Sequence, residues 1–528
     1  MLIDGQPLDA PSPPLGELLR AGLAADLDAV ALISATRSLT WAGLEEESDR
    51  LAGGYRGLGL EPGDRLASLM PNRIDLVVHY LACFKAGLVA TPLNYRYTHR
   101  EIDHALTVSG ARALLAHVER AEDVAASELA GALELGTIGY GAGELAAGAE
   151  AGEGAHEFEA LLAAEPLPAP VATRPEDAAA IFFTSGSTGP AKGVTHSGES
   201  LRWMIASAAH AFGLGSEDAF LPGSSMSHIG SFLWALSALS VGGRVVVART
   251  TDSHEILPLL REQQPTVMAM IPAALSALIH DHGLAPHDFD SLRICRAGSD
   301  KVSTELLHEF AAAAGFPIVE GYGMTEVGLA TLNPPSGVIK QGSIGTPIGG
   351  FSIAVRGEDG EPVGAEAVGR IWIRSRSRMV GYWEAPEATA EVVIDDWLDS
   401  GDLARADADG YLWFFGRKKQ VIVHDGSNVS PLEVEGALVE HPAVALAGVV
   451  GIHDVVHGEN VRAYVTLEAG VAKPSSADLI VFARERIGYK APEEVVFLAE
   501  MPLNPTGKID RVGLKRMAED HLHPHGLD

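Results

Sequence analysis

The sequence predicts an α/β protein: a large N-terminal domain of helix-covered sheets plus a barrel-like subdomain, followed by a small α+β C-terminal domain. Three observations predict this. At 528 residues the chain is several times longer than one hydrophobic core usually serves. Short apolar stretches alternate with helix-like segments over most of its length. After Phe415-Gly416 the texture changes to a basic cluster and then a compact stretch the size of a small domain. The expected domains are therefore residues 1–416 and 417–528.

In the first third, Val30 to Ser34, Arg65 to Met70 and Leu88 to Pro92 read as strands, and Leu76 to Ala86 as a helix. Thr98-His99-Arg100-Glu101 fits a capping box opening a helix through Leu106, because Thr98 and Glu101 can satisfy each other's end amides. From Gly141 to Pro170 the chain is rich in Ala, Gly, Glu and Pro, which reads as a surface excursion. Ala178 to Phe183, Arg244 to Ala248, Thr266 to Ile271, Arg293 to Arg296 and Pro317 to Val319 are strand-like with helices between, a pattern of largely parallel sheets. Arg370-Ile371-Trp372-Ile373-Arg374 alternates like a half-buried strand of a barrel or edge sheet. Ser430-Pro431-Leu432-Glu433 carries a hydroxyl cap, Pro at the first helical position and Glu three residues after the cap, so a helix starts there. Val444 to Val450 and Val461 to Leu467 follow as strands, then a helix near Ala477 to Ile487 and a strand at Val495 to Leu498.

Composition excludes several classes. Hydrophobic residues at 47% and charged residues at 21% are those of a globular chain, not a disordered one. Lys and Arg number 39 against 70 Asp and Glu, a formal charge of -31, which argues against a nucleic-acid binder or a polybasic membrane-surface protein. Cys83 and Cys295 are far apart and apolar in context, so they read as buried free thiols, not a disulfide framework or zinc site. No apolar run approaches the roughly 18–20 residues that span a bilayer, and the start lacks a basic-then-apolar leader. A cytoplasmic protein without an integral membrane segment is expected.

Two segments carry chemistry. Thr184-Ser185-Gly186-Ser187-Thr188-Gly189-Pro190-Ala191-Lys192-Gly193 follows directly on an apolar strand, and its four hydroxyls, three glycines and one lysine supply the amides, donors and charge that polyphosphate requires. A flexible linker seldom follows a buried strand or embeds a lysine. A Walker loop is excluded, since Lys192 stands between Ala191 and Gly193. Glu320-Gly321-Tyr322-Gly323-Met324-Thr325-Glu326 follows another strand. Its glycines allow close approach to a flat ligand, Tyr322 offers a stacking ring, and Thr325 and Glu326 present oxygens for phosphate and Mg²⁺.

This pair resembles the signature of the adenylate-forming superfamily, in its acyl-CoA synthetase and 4-coumarate-CoA-ligase-like branch. Trp397-Leu398-Asp399-Ser400-Gly401-Asp402-Leu403 is similar to the family's ribose-binding segment, with Asp402 as the carboxylate for the ribose hydroxyls. Gly416-Arg417-Lys418-Lys419 resembles its domain junction, where Arg417 would contact nucleotide and Lys419 would be the hinge. Asn504-Pro505-Thr506-Gly507-Lys508-Ile509-Asp510-Arg511 resembles the loop that brings a catalytic lysine, here Lys508. Pro92 to Thr98 is similar as well. Taken singly, the segment at Asp399 also reads as a turn, Lys418-Lys419 as a solvated pair and Pro505-Thr506-Gly507 as a surface turn; their joint order carries the resemblance. The departures are Ser299-Asp300-Lys301 after Gly298, where the family has a Gly-Ala-Pro-type run, and Gln420, where an acidic residue is common.

The resemblance implies ATP, Mg²⁺, CoA and a small carboxylic acid as ligands. Thr184 and Lys192, with Ser185, Gly186, Ser187, Thr188 and Gly189, would hold the departing pyrophosphate. Glu326 would hold Mg²⁺, and Lys508 would bridge substrate carboxylate and α-phosphate. Gly298, Ser299, Asp300, Glu320, Gly321, Tyr322, Gly323 and Thr325 would line the adenylate site, and the face around Gly426 a thiol channel after rotation about Lys419. Leu221 to Gly230 resembles the acyl-side segment, with His228 as a gate. It offers no carboxylate for an amino-acid ammonium. Phe232, Leu233 and Trp234 continue it with no Lys or Arg nearby in sequence, which points to an apolar or aromatic monocarboxylic acid, although Trp234 reads equally as core. Two other readings stand beside this one: transfer of the adenylate to a carrier protein or other acceptor, and a nucleotide-binding regulator without turnover. A homodimer is the prior for oligomeric state.

Overall fold

Alternation of short apolar strands with helices builds two mainly parallel sheets. The computed structural model describes residues 1–141, 156–184, 191–298, 300, 302–424, 427–454, 458–504 and 507–522. Among the expected site residues, Ser185, Gly186, Ser187, Thr188, Gly189, Ser299 and Gly426, and the side chain of Lys419, lie outside those described. The chain divides into a larger unit, Ile3–Ile353 with Ile373–Leu398, and a smaller one, Met1–Leu2, Ala354–Trp372 and Asp399–Asp528.

In the larger unit, an eight-stranded sheet runs in the order Gly381–Tyr382, Lys192–Ser197, Ala178–Thr184, Val89–Pro92, Arg65–Leu69, Ala113–His117, Thr137–Tyr140, His156–Glu157. A nine-stranded sheet runs Thr346–Pro347, Gly328–Leu332, Val319–Met324, Ile294–Ala297, Val267–Met270, Ala219–Gly223, Arg244–Val246, Val30–Ile33, Ser38–Thr40. Their interior pairings are parallel and their edges antiparallel, except at His156–Glu157, which pairs parallel with Thr137–Tyr140. The capping box forms as read, with Glu101 accepting from the Thr98 amide at 2.9 Å, and the helix runs His99–Ser109. All twelve residues of the helix Ile74–Lys85 are buried. Such a helix survives only if its polar groups find partners. Lys85 Nζ reaches Asp49 at 2.8 Å, Asp75 accepts from the Tyr140 hydroxyl at 2.8 Å, and His79 Nδ1 meets the Tyr55 hydroxyl at 2.8 Å.

Three expectations need correction. Within Gly141 to Pro170, His156–Glu157 adds a strand and Phe158–Leu162 a short helix, because Phe158 is an anchor: it is buried and meets the Tyr140 ring edge-on at 5.1 Å. Ile371, Trp372 and Ile373 are buried in succession instead of alternating, because the guanidinium groups of Arg356 and Arg370 cover the outward Trp372 ring at 4.7 and 5.6 Å. At Ser430 the helix Pro431–Val439 starts as expected but without the side-chain cap. The Ser430 hydroxyl donates instead to the Phe415 carbonyl, and Glu433 takes Lys490 Nζ at 2.7 Å.

The strand holding Trp372 belongs to a six-stranded sheet paired in an open order, with Leu412–Arg417 on Trp397–Ala406. In the smaller unit a five-stranded sheet orders Ser427–Val429, Ile422–His424, Gly458–Leu467 and Val444–Asp454, with Glu494–Phe497 parallel on Gly458–Leu467. Arg511 pairs with Glu435, whose Oε1 accepts the Val449 amide at 2.8 Å. This ties the helices Pro431–Val439 and Arg511–Leu522 to the sheet. Among the described residues no helix is long and apolar enough to cross a membrane.

Candidate active site

The two ends of the hydroxyl-rich segment, Thr184 and Lys192, lie on paired strands. Thr184 closes the buried strand Ala178–Thr184 and pairs directly with Lys192, which opens the antiparallel strand Lys192–Ser197. The pairing brings the half-buried Thr184 and the exposed Lys192 to the same end of the ladder. Lys192 Nζ stands 4.7 Å from the Tyr382 ring centroid.

Glu320 to Met324 were expected to follow a strand; they lie within one, Val319–Met324, antiparallel to Gly328–Leu332 and bulged between Tyr322 and Gly323. The glycines explain why. A Cβ on Gly323 would sit 2.1 Å from the Gly328 carbonyl oxygen, and one on Gly321 2.6 Å from that of Thr331, so only glycine lets these strands approach. Tyr322 is buried, with its hydroxyl toward Met324 Sδ at 3.8 Å. The Glu320 carboxylate accepts the Gly342 amide at 2.7 Å, which fixes the following loop.

The two motifs meet in the larger unit. His196 Nε2 donates to the Thr325 carbonyl at 2.8 Å, and burial pulls this imidazole down to about 4, so it stays neutral. The Tyr382 hydroxyl donates to Glu326 Oε1 at 3.0 Å, while the Met379 amide donates to the Glu326 carbonyl at 2.7 Å. Burial, then the Glu326 charge, raises the Tyr382 phenol and keeps it a donor. Lys192, the Tyr382 ring and Glu326 thus form one continuous row. Gly298 is buried at the end of Ile294–Ala297, the neighbouring strand of the signature; Asp300 is exposed.

On the acyl side, half-buried His228 is the residue before the helix Ile229–Ser240. The turn before it is held by Asn72, which donates to the Ser224 carbonyl at 2.8 Å and accepts the Met226 amide at 2.7 Å; the Tyr80 hydroxyl donates to the Met226 carbonyl at 3.0 Å. Phe232 is core, packed on Tyr80, Phe84 and Phe182. Trp234 stacks parallel to Phe220 at 6.2 Å. The expectation that no Arg or Lys stands near this segment fails, because folding places the Arg296 guanidinium 5.3 Å from the Trp234 centroid.

In the smaller unit, buried Asp402 faces Arg417 across the strands Trp397–Ala406 and Leu412–Arg417, with Arg417 Nε 3.2 Å from Asp402 Oδ1. Earlier in the same strand as Asp402, Asp399 accepts the Gly401 amide at 3.1 Å and pairs with Arg370. Asp402, expected at the ribose, and Arg417, expected to contact the nucleotide, are therefore adjacent. Lys508 is exposed, its amide donating to Asn504 Oδ1 at 3.1 Å and its carbonyl accepting the Asn504 amide at 2.7 Å.

Residues 19–383 match the AMP-binding enzyme family, and residues 433–508 its C-terminal domain. The chain belongs to the AMP-binding enzyme family. It is 34% identical over 483 residues to a feruloyl-CoA synthase of Amycolatopsis sp, covering 91% of this chain and 94% of that protein. It is 33% identical over 498 residues to the fatty acid–[acyl-carrier-protein] ligase ScoC of Streptomyces coeruleorubidus, covering 92% of each. Among solved structures, ATP-bound MatB from Rhodopseudomonas palustris superposes with a TM-score of 0.87 at 26% identity, covering 97% of this chain and 99% of that one.

Within this AMP-binding enzyme, motif reading missed the residues that join motifs: Tyr382, His196, Asn72, Tyr80 and Arg296. Four of them look in sequence like ordinary core or surface residues. Arg296 alone left a signal, a charge in the middle of the apolar strand Ile294–Ala297.

Proposed function

We propose that this AMP-binding enzyme activates a carboxylic acid with ATP to an acyl-AMP and transfers the acyl group to CoA. The supporting observation is that the strand after the hydroxyl-rich segment and its neighbour Tyr382 meet the signature segment through His196–Thr325 and Tyr382–Glu326. A carboxylate is a poor acylating agent because its leaving group would be oxide. Attack of its oxygen on the α-phosphorus of ATP expels pyrophosphate and makes that oxygen part of AMP, a good leaving group. The thiol of CoA then attacks the acyl carbon, AMP departs, and a thioester remains.

Two anions must meet in the first step, so the task of the site is to neutralise charge and orient the reactants. Thr184, Lys192 and the loop Ser185 to Gly189 hold the pyrophosphate; Lys508 bridges the acid and the α-phosphate. Tyr322, with Gly298, Ser299, Asp300, Gly321 and Gly323, shapes the adenine side. Asp402 and Arg417 hold the ribose, and His228 gates the way from acid to thiol. Mg²⁺ fits Glu326: the carboxylate is buried and oriented by the Tyr382 hydroxyl, a hard anionic oxygen of the kind this ion takes. Bound there, it would supply further neutralisation of phosphate charge.

The same proposal places a domain boundary at residues 416 and 417, a mobile C-terminal domain turning about Lys419, a thiol channel near Gly426, and a barrel-like subdomain around the six-stranded sheet. It also places the protein in the cytoplasm, as a homodimer. The test is acid-dependent exchange of labelled pyrophosphate into ATP over a panel of acids, followed by AMP release with and without CoA. We expect exchange and CoA-accelerated release. Absence of exchange with every acid would remove the proposal. The likeness to the ScoC ligase favours a carrier protein as second acceptor, which exchange without CoA acceleration would support.

A further inference from the structure

Arg296 is 7% exposed, on the strand Ile294–Ala297. Alternation sends Cys295 and Ala297 into the apolar cluster with residues of the helices Ser253–Gln263, Pro272–Ile279 and Thr304–Ala314, and Arg296 to the opposite face, where Trp234 of the His228 helix meets it. Its neighbour Arg293 is paired with Asp218 at 2.8 Å. Arg296 has no such partner among the described residues. Its Nε makes no hydrogen bond, and its Nη2 has only a long contact, 3.5 Å, to the Gly321 carbonyl. Burial without a compensating carboxylate pulls it down to about 10. An uncompensated buried cation is costly, and proteins keep one where a ligand supplies the opposite charge.

Its surroundings say which ligand. Arg296 is next to last at the carboxyl end of an interior parallel strand, where open α/β sheets bind ligands. The guanidinium lies over Gly298, where a Cβ would be 2.6 Å from Nη2, and reaches toward Gly321 from the other side. The Trp234 ring beneath it has its Nε1 edge at Gly230, in the first turn of the His228 helix, where a Cβ would be 3.6 Å away. The cation therefore stands between the acyl-side helix and the signature strand. We infer that Arg296 selects the acid: this enzyme takes carboxylic acids that carry a second anionic group, a carboxylate or sulfonate, on the part of the molecule away from the reacting end. This rests on the acid-activating reading above. It replaces the apolar monocarboxylic acid that the sequence around Trp234 suggests.

The test is pyrophosphate exchange with matched probes, adipate against hexanoate and terephthalate against benzoate, for the full-length wild type, Arg296→Met and Arg296→Lys. Charge-assisted hydrogen bonding predicts a wild-type kcat/KM about 10- to 100-fold higher for the better dianion than for its monoanion. Arg296→Met should bring that ratio near one while keeping exchange on the monoanion, and Arg296→Lys should keep part of it. Retained AMP binding and an unchanged thermal midpoint show that each variant is folded; if Arg296→Met does not fold, the wild-type ratio and Arg296→Lys decide. Monoanions accepted by the wild type without preference for dianions overturn the inference and leave acid activation standing. An unchanged ratio in a folded Arg296→Met does the same. No exchange with any probe or wider panel removes both.

Discussion

At the scale of single residues, the site depends on charges held in place by neutral neighbours. Asp402 is buried against Arg417, and in the proposed chemistry the ribose it would hold stays bound through both half-reactions. We expect Asp402→Ala to raise the KM for ATP and weaken acyl-AMP binding by about 10- to 100-fold, the worth of hydrogen bonds to a charged group; unchanged nucleotide affinity by calorimetry removes Asp402 from the site. His196 gives a pH dependence with a definite sign. Its pKa falls from 6.5 to about 4 on folding, so the unfolded chain takes the proton first. Its contribution is whole above about pH 6.5 and is lost as the pH falls toward 4, about 3 kcal/mol in all. Urea midpoints across that range should fall less steeply for His196→Gln than for the wild type; parallel curves contradict the assignment. Lys192, Glu326, Asp402 and Lys508 stood out in sequence by their functional groups alone, the ones that the proposed phosphate, metal and ribose contacts would need. Arg296 and Tyr382 did not, because their meaning lies in partners from distant segments: Trp234 for one, Glu326 and Lys192 for the other.

At the scale of elements, backbone geometry, not side-chain chemistry, sets how closely the signature strand packs on its partner. Gly323 shows it. We expect Gly323→Ala to cost about 1–3 kcal/mol by forcing the Gly328 carbonyl away, and to raise the KM for ATP as Tyr322 shifts. Gly131, with open space where its Cβ would go, is the control, and Gly131→Ala should leave both the denaturant midpoint and the KM unchanged. Equal effects at the two positions would sink the steric account. Strand positions were readable since buried parallel strands are continuous apolar runs, and Val267–Met270 and Ile294–Ala297 fall within a residue or so of expectation. The signature segment lies within a strand instead of after one, because the glycines at 321 and 323 allow close strand pairing, while Gly328 takes a φ of 72° against the Met204 side chain.

At the scale of the whole molecule, the proposed chemistry needs Lys508 for one half-reaction only. We expect Lys508→Ala to lower acid-dependent pyrophosphate exchange about 100-fold or more while thiol transfer from supplied acyl-AMP stays within about threefold. Equal loss of both steps contradicts the two-state assignment. The order of motifs along the chain was legible, because each is a local pattern. The discontinuous make-up of the smaller unit was not, since Ala354–Trp372 joins it only through pairing with strands remote in sequence. The smaller unit is gathered from three stretches of the chain, Met1–Leu2, Ala354–Trp372 and Asp399–Asp528, so it is complete only once the end of the polypeptide has joined what was made long before it.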